Sequence, residues 1–261
     1  MVYSEDDVPL ARQMSVCVVI PTYNEAPNIP QLIYRIKTLG IPDLLLLFVD
    51  DNSPDGTADL SELLGKESGV TVKVIRRLAK SGLGTAYREG FRWALEEDFN
   101  FIIQMDADLS HPPECIPKML KLLEVYQVVI GSRYVAHGSV DKNWSWSRKL
   151  LSWFGNYAIR KIAGLNVVDS TSGFKAYRKS ALNSIDFDKT KCRGFGFQVE
   201  VVYLCQLLGF KMVELPIVFL DRQVGTSKMS MGIIIEAVIK IVQMRFTFSK
   251  DTGKNWQNKG L

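Results

Sequence analysis

The sequence predicts an α/β protein in which a mixed, mostly parallel sheet carries helices on its flanks. Three observations lead there. Val16 to Ile20 and Leu44 to Val49 are continuous apolar runs without polar alternation, the pattern of strands buried on both faces. Each run stops on a polar bend and passes into a segment of helical periodicity, as successive βα units require. A length of 261 residues suits one such domain, or one with a small appendage, and buries a full core.

Met1 to Met14 holds Glu5, Asp6, Asp7 and Pro9 and lacks a basic start followed by an apolar stretch, so it reads as a mobile leader without a secretory signal. The first strand, Val16 to Ile20, ends at Pro21 to Glu25, after which Ile29, Leu32, Ile33 and Ile36 recur at helical spacing. The second, Leu44 to Val49, ends on Asp50 and Asp51, and Ser53 to Gly56 forms a turn suited to capping the next helix. The third, Val70 to Ile75, runs through Arg76, Arg77 and Lys80 into Ser81 to Ala86, and Tyr87, Phe91, Ala94 and Leu95 then share a helical face. Gly82 and Gly84 match neither a P-loop nor a dinucleotide fingerprint, which removes the main support for kinases and dehydrogenases.

The fourth strand starts at Phe101 and stops on Asp106 and Asp108. Residues i and i+2 of an extended chain project to one side, so these carboxylates are expected to face a shared target with Ala107 between them. Hard carboxylate oxygens suit Mg²⁺ or Mn²⁺, and Mg²⁺ keeps positions for water and substrate phosphates; the plainer alternative is a solvated turn. A fifth strand, Gln127 to Ile130, delivers Gly131, Ser132 and Arg133. Glu25, Asp51, the Asp106 and Asp108 pair, and Arg133 therefore close four of five strands. Ligands of open α/β sheets collect at such ends. Carboxylates, a metal and an arginine in one cleft suit a nucleoside diphosphate.

The net charge of +4 is too mild to indicate a nucleic-acid binder, and Cys17, Cys115, Cys192 and Cys205 show no paired spacing, which favours a reduced, cytosolic setting without zinc. Basic residues gather late: from Arg222 onward Arg222, Lys228, Lys240, Arg245, Lys250, Lys254 and Lys259 face only Glu236 and Asp251, a balance that suits an anionic membrane. Trp144, Trp146 and Trp153 surround Lys142, Arg148 and Lys149, and Leu151, Phe154, Ala158 and Ile162 share a helical face that meets either a bilayer headgroup layer or the protein core. Gly232 to Phe248 is apolar but interrupted by Glu236, Lys240 and Arg245 and shorter than the ~20 residues of a membrane span. It offers a surface for lipid, for a membrane-anchored partner protein or for the protein's own core.

Pro21 to Glu25 (PTYNE), Val49 to Thr57 (VDDNSPDGT), Gly82 to Tyr87 (GLGTAY), Met105 to Pro113 (MDADLSHPP) and Ile130 to Tyr134 (IGSRY), in this order, resemble family 2 glycosyltransferases of GT-A fold. Ser172 to Arg178 (SGFKAYR) and Asp221 to Ser230 (DRQVGTSKMS) narrow the resemblance to the dolichol-phosphate or polyprenol-phosphate mannose synthases. It implies one catalytic domain over 15–248 with membrane-facing helices at about 147–163 and 232–248, and a disordered tail over 249–261. The implied reaction transfers mannose, with inversion, from GDP-mannose to a dolichyl or polyprenyl phosphate at the cytoplasmic face of a membrane, by a peripheral enzyme without a span. By the same resemblance Pro21, Tyr23 and Glu25 contact guanosine and ribose, Val49 and Asp51 line the base pocket, and Asp106, Ala107 and Asp108 meet diphosphate and metal. Arg133, Arg222 and Lys228 hold the sugar and phosphates, and Asp169 to Phe174 borders the acceptor phosphate. Relatives place a Gln as a further metal ligand where this sequence has Ser110.

The chemistry supports that reading independently. A phosphate monoester with a second pKa near ~6 is largely ionised at neutral pH, so it is a nucleophile without a general base. His111 and His137 are accordingly expected as polar loop residues, and Glu200 as a residue that orients Arg or Lys side chains. Lys175 and Arg178 are expected either to attract phosphate or to be surface charges. Two alternatives stand beside the mannose transferase: a UDP-glucose-dependent lipid-phosphate transferase, and a catalytically silent nucleotide-binding subunit that recruits a membrane partner.

Overall fold

The computed structural model describes residues 14–221 and 242–243. In chain order the elements are β1 (Val16–Thr22), α1 (Ile29–Lys37), β2 (Leu44–Asp50), α2 (Thr57–Ser68), β3 (Thr71–Arg76), α3 (Leu83–Glu96), β4 (Phe101–Gln104), α4 (Ile116–Leu122), β5 (Val128–Ser132), β6 (Ser139–Val140), α5 (Trp146–Ala163), β7 (Lys175–Arg178), α6 (Lys179–Asn183), α7 (Gly196–Leu207), β8 (Met212–Pro216) and β9 (Val218–Phe219). The main sheet has the order β3-β2-β1-β4-β7-β5-β8, and β6 pairs with β9 beside it. All pairings are parallel except those of β7, which lies antiparallel between β4 and β5.

The unbroken apolar strands are explained by a core on each face. Cys17 and Val19 of β1 pack with Tyr87 and Phe91 of α3 and Val202 of α7. The alternate residues Val16, Val18 and Ile20 pack with Ile29, Leu32, Ile33 and Ile36 of α1 and with α4. Side chains alternate along a strand, so both faces must be apolar when both are covered. Gly90 lets α3 sit directly on the sheet, since a Cβ there would lie 2.4 Å from Val19 Cγ1.

Two expectations need correction, and a third, left open between two outcomes, is narrowed. Lys175 and Arg178 are neither loop phosphate ligands nor surface charges: they are the ends of β7, with Lys175 fully buried and Arg178 donating to the carbonyl oxygens of Leu123 (2.6 Å) and Glu124 (2.5 Å) behind α4. The strand carrying Asp106 and Asp108 ends earlier, at Gln104, so both carboxylates lie in the bend beyond it and not on an extended segment. On α5 the protein side is Ser152, Asn156, Ile159 and Ala163, whereas Trp146, Trp153, Phe154 and Tyr157 are exposed.

Among the described residues no helix is long and apolar enough to cross a membrane. All four cysteines are free thiols. The leader over 1–13, Arg222, Lys228, the predicted helix over 232–248 apart from Val242 and Gln243, and the tail over 249–261 lie outside the described residues.

Candidate active site

The bends after β1 and β2 form a rim braced by their own polar side chains. Asn24 and Asn52 adopt left-handed conformations, with φ of 60° and 59°, which short Asn side chains tolerate. Asp50 accepts hydrogen bonds from Thr22 Oγ1 (2.8 Å) and from the amide (2.8 Å) and hydroxyl (2.6 Å) of Ser53. Asp55 accepts from the Ala26 amide at 3.1 Å, tying the two bends together. Glu25 receives the Asn28 amide group at 2.7 Å, and Lys80 Nζ lies 3.7 Å over the Tyr23 ring. Pro21 stands partly exposed at the end of β1, and Val49 is fully buried.

Asp51 reaches from this rim to Arg77. The Arg77 guanidinium pairs with Asp51, donates to Thr85 Oγ1 at 2.7 Å and meets Glu89 Oε2 at 3.0 Å. Burial raises the Asp51 carboxyl above its ordinary value, and Arg77 works against that shift. One arginine thus links the end of β2 to the start of α3. The glycines at the start of α3 serve packing: Gly84 donates its amide to the Arg193 carbonyl at 2.7 Å, and a Cβ on Gly82 would come within 2.6 Å of the same oxygen.

One turn into α3, Tyr87 donates its hydroxyl to Asp106 Oδ1 at 2.8 Å. The Asp106 amide donates to His111 Nδ1 at 3.1 Å, and Gly173 keeps the other side of the carboxylate clear, since a Cβ there would approach Asp106 Oδ2 to 3.3 Å. Asp108 is buried; its Oδ1 accepts from the Ser110 amide at 3.1 Å and the Ser110 hydroxyl at 2.6 Å. Ala107 is buried between them, and Leu109, with φ of 61°, turns the chain back. Ser110 is therefore a support for Asp108. His111 is buried and stacked on Phe174, with ring centroids 5.3 Å apart, and burial lowers its pKa despite the nearby Asp106 and Asp108. It braces the bend as a neutral ring.

Arg133 follows β5 directly. Its Nε and Nη2 grip Asp169 at 2.8 and 2.7 Å, its amide donates to the same carboxylate at 2.9 Å, and Nη2 also reaches Thr171 Oγ1 at 2.8 Å. Burial opposes ionisation of Asp169, and the Arg133 charge and hydrogen bonds overcome it, holding the carboxyl below its usual range. Glu214 on β8 in turn accepts the amides of Val168 (2.7 Å) and Asp169 (2.8 Å), while Asn156 on α5 donates to the Val168 carbonyl at 2.6 Å and accepts from the Ser170 amide at 3.0 Å. Among the described residues Glu200 makes no ion pair, although its charge acts on Arg88. It accepts the Lys191 and Cys192 amides at 2.9 and 3.0 Å and so fixes the loop before α7.

Asp106, His111 and Arg133 share a cleft of about 440 Å³ with Leu151 and Ile159 of α5, Val199 of α7 and Phe195. The structure brings Asp106 and Arg133 to this cleft and leaves Pro21, Tyr23, Glu25 and Asp51 on the rim, with α3 joining the two regions through Thr85 and Tyr87. Among the described residues no group of three or more His, Cys, Asp or Glu is placed to hold a metal. The Asp106 and Asp108 carboxylates nonetheless fit a hard divalent ion that takes its remaining ligands from water and phosphate oxygens. The site roles of Arg77, Tyr87, Gln198 and Glu214 escaped the sequence reading, and Asp169, expected beside the acceptor phosphate, was not foreseen as the partner of Arg133. Tyr87 looked like an ordinary core residue of its helix, and Asp169 shows no local sign of an arginine 36 residues away.

The mostly parallel sheet of this order, with helices on its flanks, is a GT-A type of α/β fold that solved structures share. A mannosyltransferase from Pyrobaculum calidifontis in complex with GDP-Man and Mn²⁺ superposes with a TM-score of 0.59 at 16% identity, over 92% of this chain and 65% of that one. Glucosyl-3-phosphoglycerate synthase from Mycobacterium tuberculosis, with Mn²⁺, UDP-glucose and phosphoglyceric acid, superposes with a TM-score of 0.58 at 18% identity, over 89% and 80% of the two chains. The family model described as glycosyl transferase family 2 matches residues 17–186, and the chain belongs to that family. An undecaprenyl-phosphate mannosyltransferase of Micrococcus luteus is 43% identical over 88% of this chain and 93% of its own length. A polyprenol monophosphomannose synthase of Mycolicibacterium smegmatis is 38% identical over 92% and 90%.

Proposed function

We propose that this glycosyltransferase moves mannose from GDP-mannose to a polyprenyl or dolichyl phosphate, with inversion to a β-mannosyl phosphate and release of GDP. The observation that carries the reading is the cleft: Asp106 and Arg133 share its wall with Leu151, Ile159, Phe195 and Val199, a surface suited to a ligand that joins an anion to a hydrocarbon chain. The names of the two relatives support the same acceptor and sugar.

Donor and acceptor divide the site between them. The rim of Pro21, Tyr23, Glu25 and Asp51, with Val49 beneath it, receives guanosine and ribose. Asp106 and Asp108 face the diphosphate and would hold Mg²⁺ or Mn²⁺, which when bound neutralises charge on the departing diphosphate. Ala107 lets the chain pass between them. An oxygen of the lipid phosphate attacks C1 of mannose from the face opposite GDP; the C1–O bond to GDP breaks, and its electron pair leaves with the β-phosphate oxygen. The nucleophile is already ionised, so no base is required. The chain's task is to place cations and to hold two anions in line. Arg133, fixed by Asp169, presents its charge to the cleft, and Arg222 and Lys228 supply further charge from the segment after β9.

The exposed Trp146, Trp153, Phe154 and Tyr157 of α5, with Lys142 and Lys161 nearby in the chain, seat the enzyme peripherally on an anionic membrane surface. A membrane-anchored partner protein is a second occupant for that side of the molecule. The test is transfer of labelled sugar by purified protein to polyprenyl phosphate with Mg²⁺, comparing GDP-mannose with UDP-glucose. Mannose-only label in the lipid supports the reading; glucose label selects the UDP-glucose alternative, and GDP-mannose binding without turnover selects the silent subunit.

A further inference from the structure

Among the described residues three buried side-chain polar atoms have no hydrogen-bond partner: Ser132 Oγ, Trp144 Nε1 and Gln198 Nε2. Gln198 lies on α7, is 2% exposed and belongs to the cleft wall. Its carbonyl oxygen is used twice, by Gln104 Nε2 and by Lys175 Nζ at 2.9 Å. Those two donors fix the amide orientation, because an exchange of its oxygen and nitrogen would set N–H against N–H. Both hydrogens of Nε2 are thus left without an acceptor among the described residues, an arrangement that buried polar groups rarely keep.

The groups behind Gln198 are arranged around it. Tyr177 donates to Gln104 Oε1 at 3.2 Å, and Lys175 Nζ also donates to the Ser172 carbonyl. All of them are buried, and Lys175 donates only to neutral oxygens. A donor on the carbonyl side of an amide draws electron density from its nitrogen and strengthens the hydrogen bonds that its N–H groups give. The wall beside Gln198 is apolar, with Val199, Phe195, Leu83 and Ile159. A ligand seated there carries both an oxygen acceptor and a hydrocarbon portion.

We propose that Gln198 Nε2 is a substrate-binding donor that takes a phosphate oxygen of the prenyl-phosphate acceptor, with Gln104 and Lys175 as positioning residues that aim it. This assignment rests on the lipid-phosphate reading of the cleft. It separates Gln198 from the donor: loss of its amide weakens the acceptor phosphate and leaves GDP-mannose alone.

The test uses the full chain and citronellyl phosphate, a short soluble prenyl phosphate, with citronellol as the alcohol lacking phosphate. Gln198→Leu keeps the length and removes the donor, and Gln198→Glu keeps the shape and adds negative charge. Expected results are a Kd for citronellyl phosphate raised about tenfold in Gln198→Leu and more in Gln198→Glu, with citronellol affinity and the KM for GDP-mannose within twofold of the unmodified protein. Unchanged phosphate affinity in both variants overturns the assignment, as does a parallel loss for phosphate, alcohol and GDP-mannose, which marks a structural role. Should the unmodified protein bind no prenyl phosphate, the acceptor reading itself fails and takes this inference with it. Binding and transfer by the unmodified protein, with variants that bind equally well, sink the inference alone.

Discussion

Tyr87 donates its hydroxyl to Asp106 across 2.8 Å, which couples the core face of α3 to the acidic bend after β4. The ring is fully buried and burial pushes its pKa well above the ordinary tyrosine value, so it remains a proton donor at any working pH. A helix facing the rim at Thr85 and the acidic bend at Tyr87 sets the spacing between those two regions.

Tyr87→Phe removes that hydrogen bond while keeping the ring in its stack with Phe197, whose centroid lies 6.3 Å away. The expected outcome is a fall in kcat of about tenfold, the size of one lost positioning hydrogen bond to a charged group, with a melting temperature within a few degrees of the parent. Steady-state kinetics with a thermal melt check it, and undiminished kcat contradicts it.

Asp108→Asn keeps the bulk within the Ser110 turn and removes the charge. Transfer should fall at least a hundredfold and should not return with excess Mg²⁺ or Mn²⁺, and chelation of the parent enzyme should give the same loss. Titration of both proteins with Mn²⁺, followed by its paramagnetic signal, separates weakened ion binding from damage elsewhere.

Asp169→Asn leaves the Arg133 guanidinium in a largely buried position with a neutral neighbour. Breaking such a pair from one side typically costs about 3–5 kcal/mol, far more than an exposed pair is worth. Denaturant unfolding should show a loss of that order, together with slower transfer. Arg76→Ala, whose partners Asp59 and Glu62 are exposed, should cost under about 1 kcal/mol and serves as the comparison.

Burial lowers Lys175 from the ordinary lysine value to about 7, although Asp169 pulls it upward. Between about pH 7 and the ordinary value the unfolded chain holds a proton that the folded chain has released, so this residue makes stability rise with pH across that window. The melting temperature of the parent should therefore gain on that of Lys175→Met between pH 7 and 9.5. A constant difference would show that Lys175 keeps its proton in the fold.

The parallel half of the sheet was legible because strands covered on both faces must be apolar, and β1, β2 and β4 are so up to their final polar residues Thr22, Asp50 and Gln104. β7 was not, because its four residues begin and end on cations and one of these is a buried lysine that sequence polarity assigns to the surface. Periodicity placed α5 but not its orientation: the helix turns Ser152 and Asn156 inward to bind Tyr134 and the 168–170 segment, and presents its aromatics outward. Asp106 and Arg133 could be singled out as polar groups ending apolar runs. Their supports, Tyr87 and Asp169, come from distant segments and are joined to them only by the fold.

The central claim is most directly tested by following phosphorus through the reaction. Purified protein, GDP-mannose, Mg²⁺ and a polyprenyl phosphate in detergent are incubated and read by phosphorus NMR. Conversion of the lipid monoester into a phosphodiester, one for each GDP released, is the predicted result, with a β-configured mannose in the isolated lipid. GDP released with free mannose while the lipid monoester persists would contradict it, since the cleft would then deliver water, and not a lipid phosphate, to the sugar.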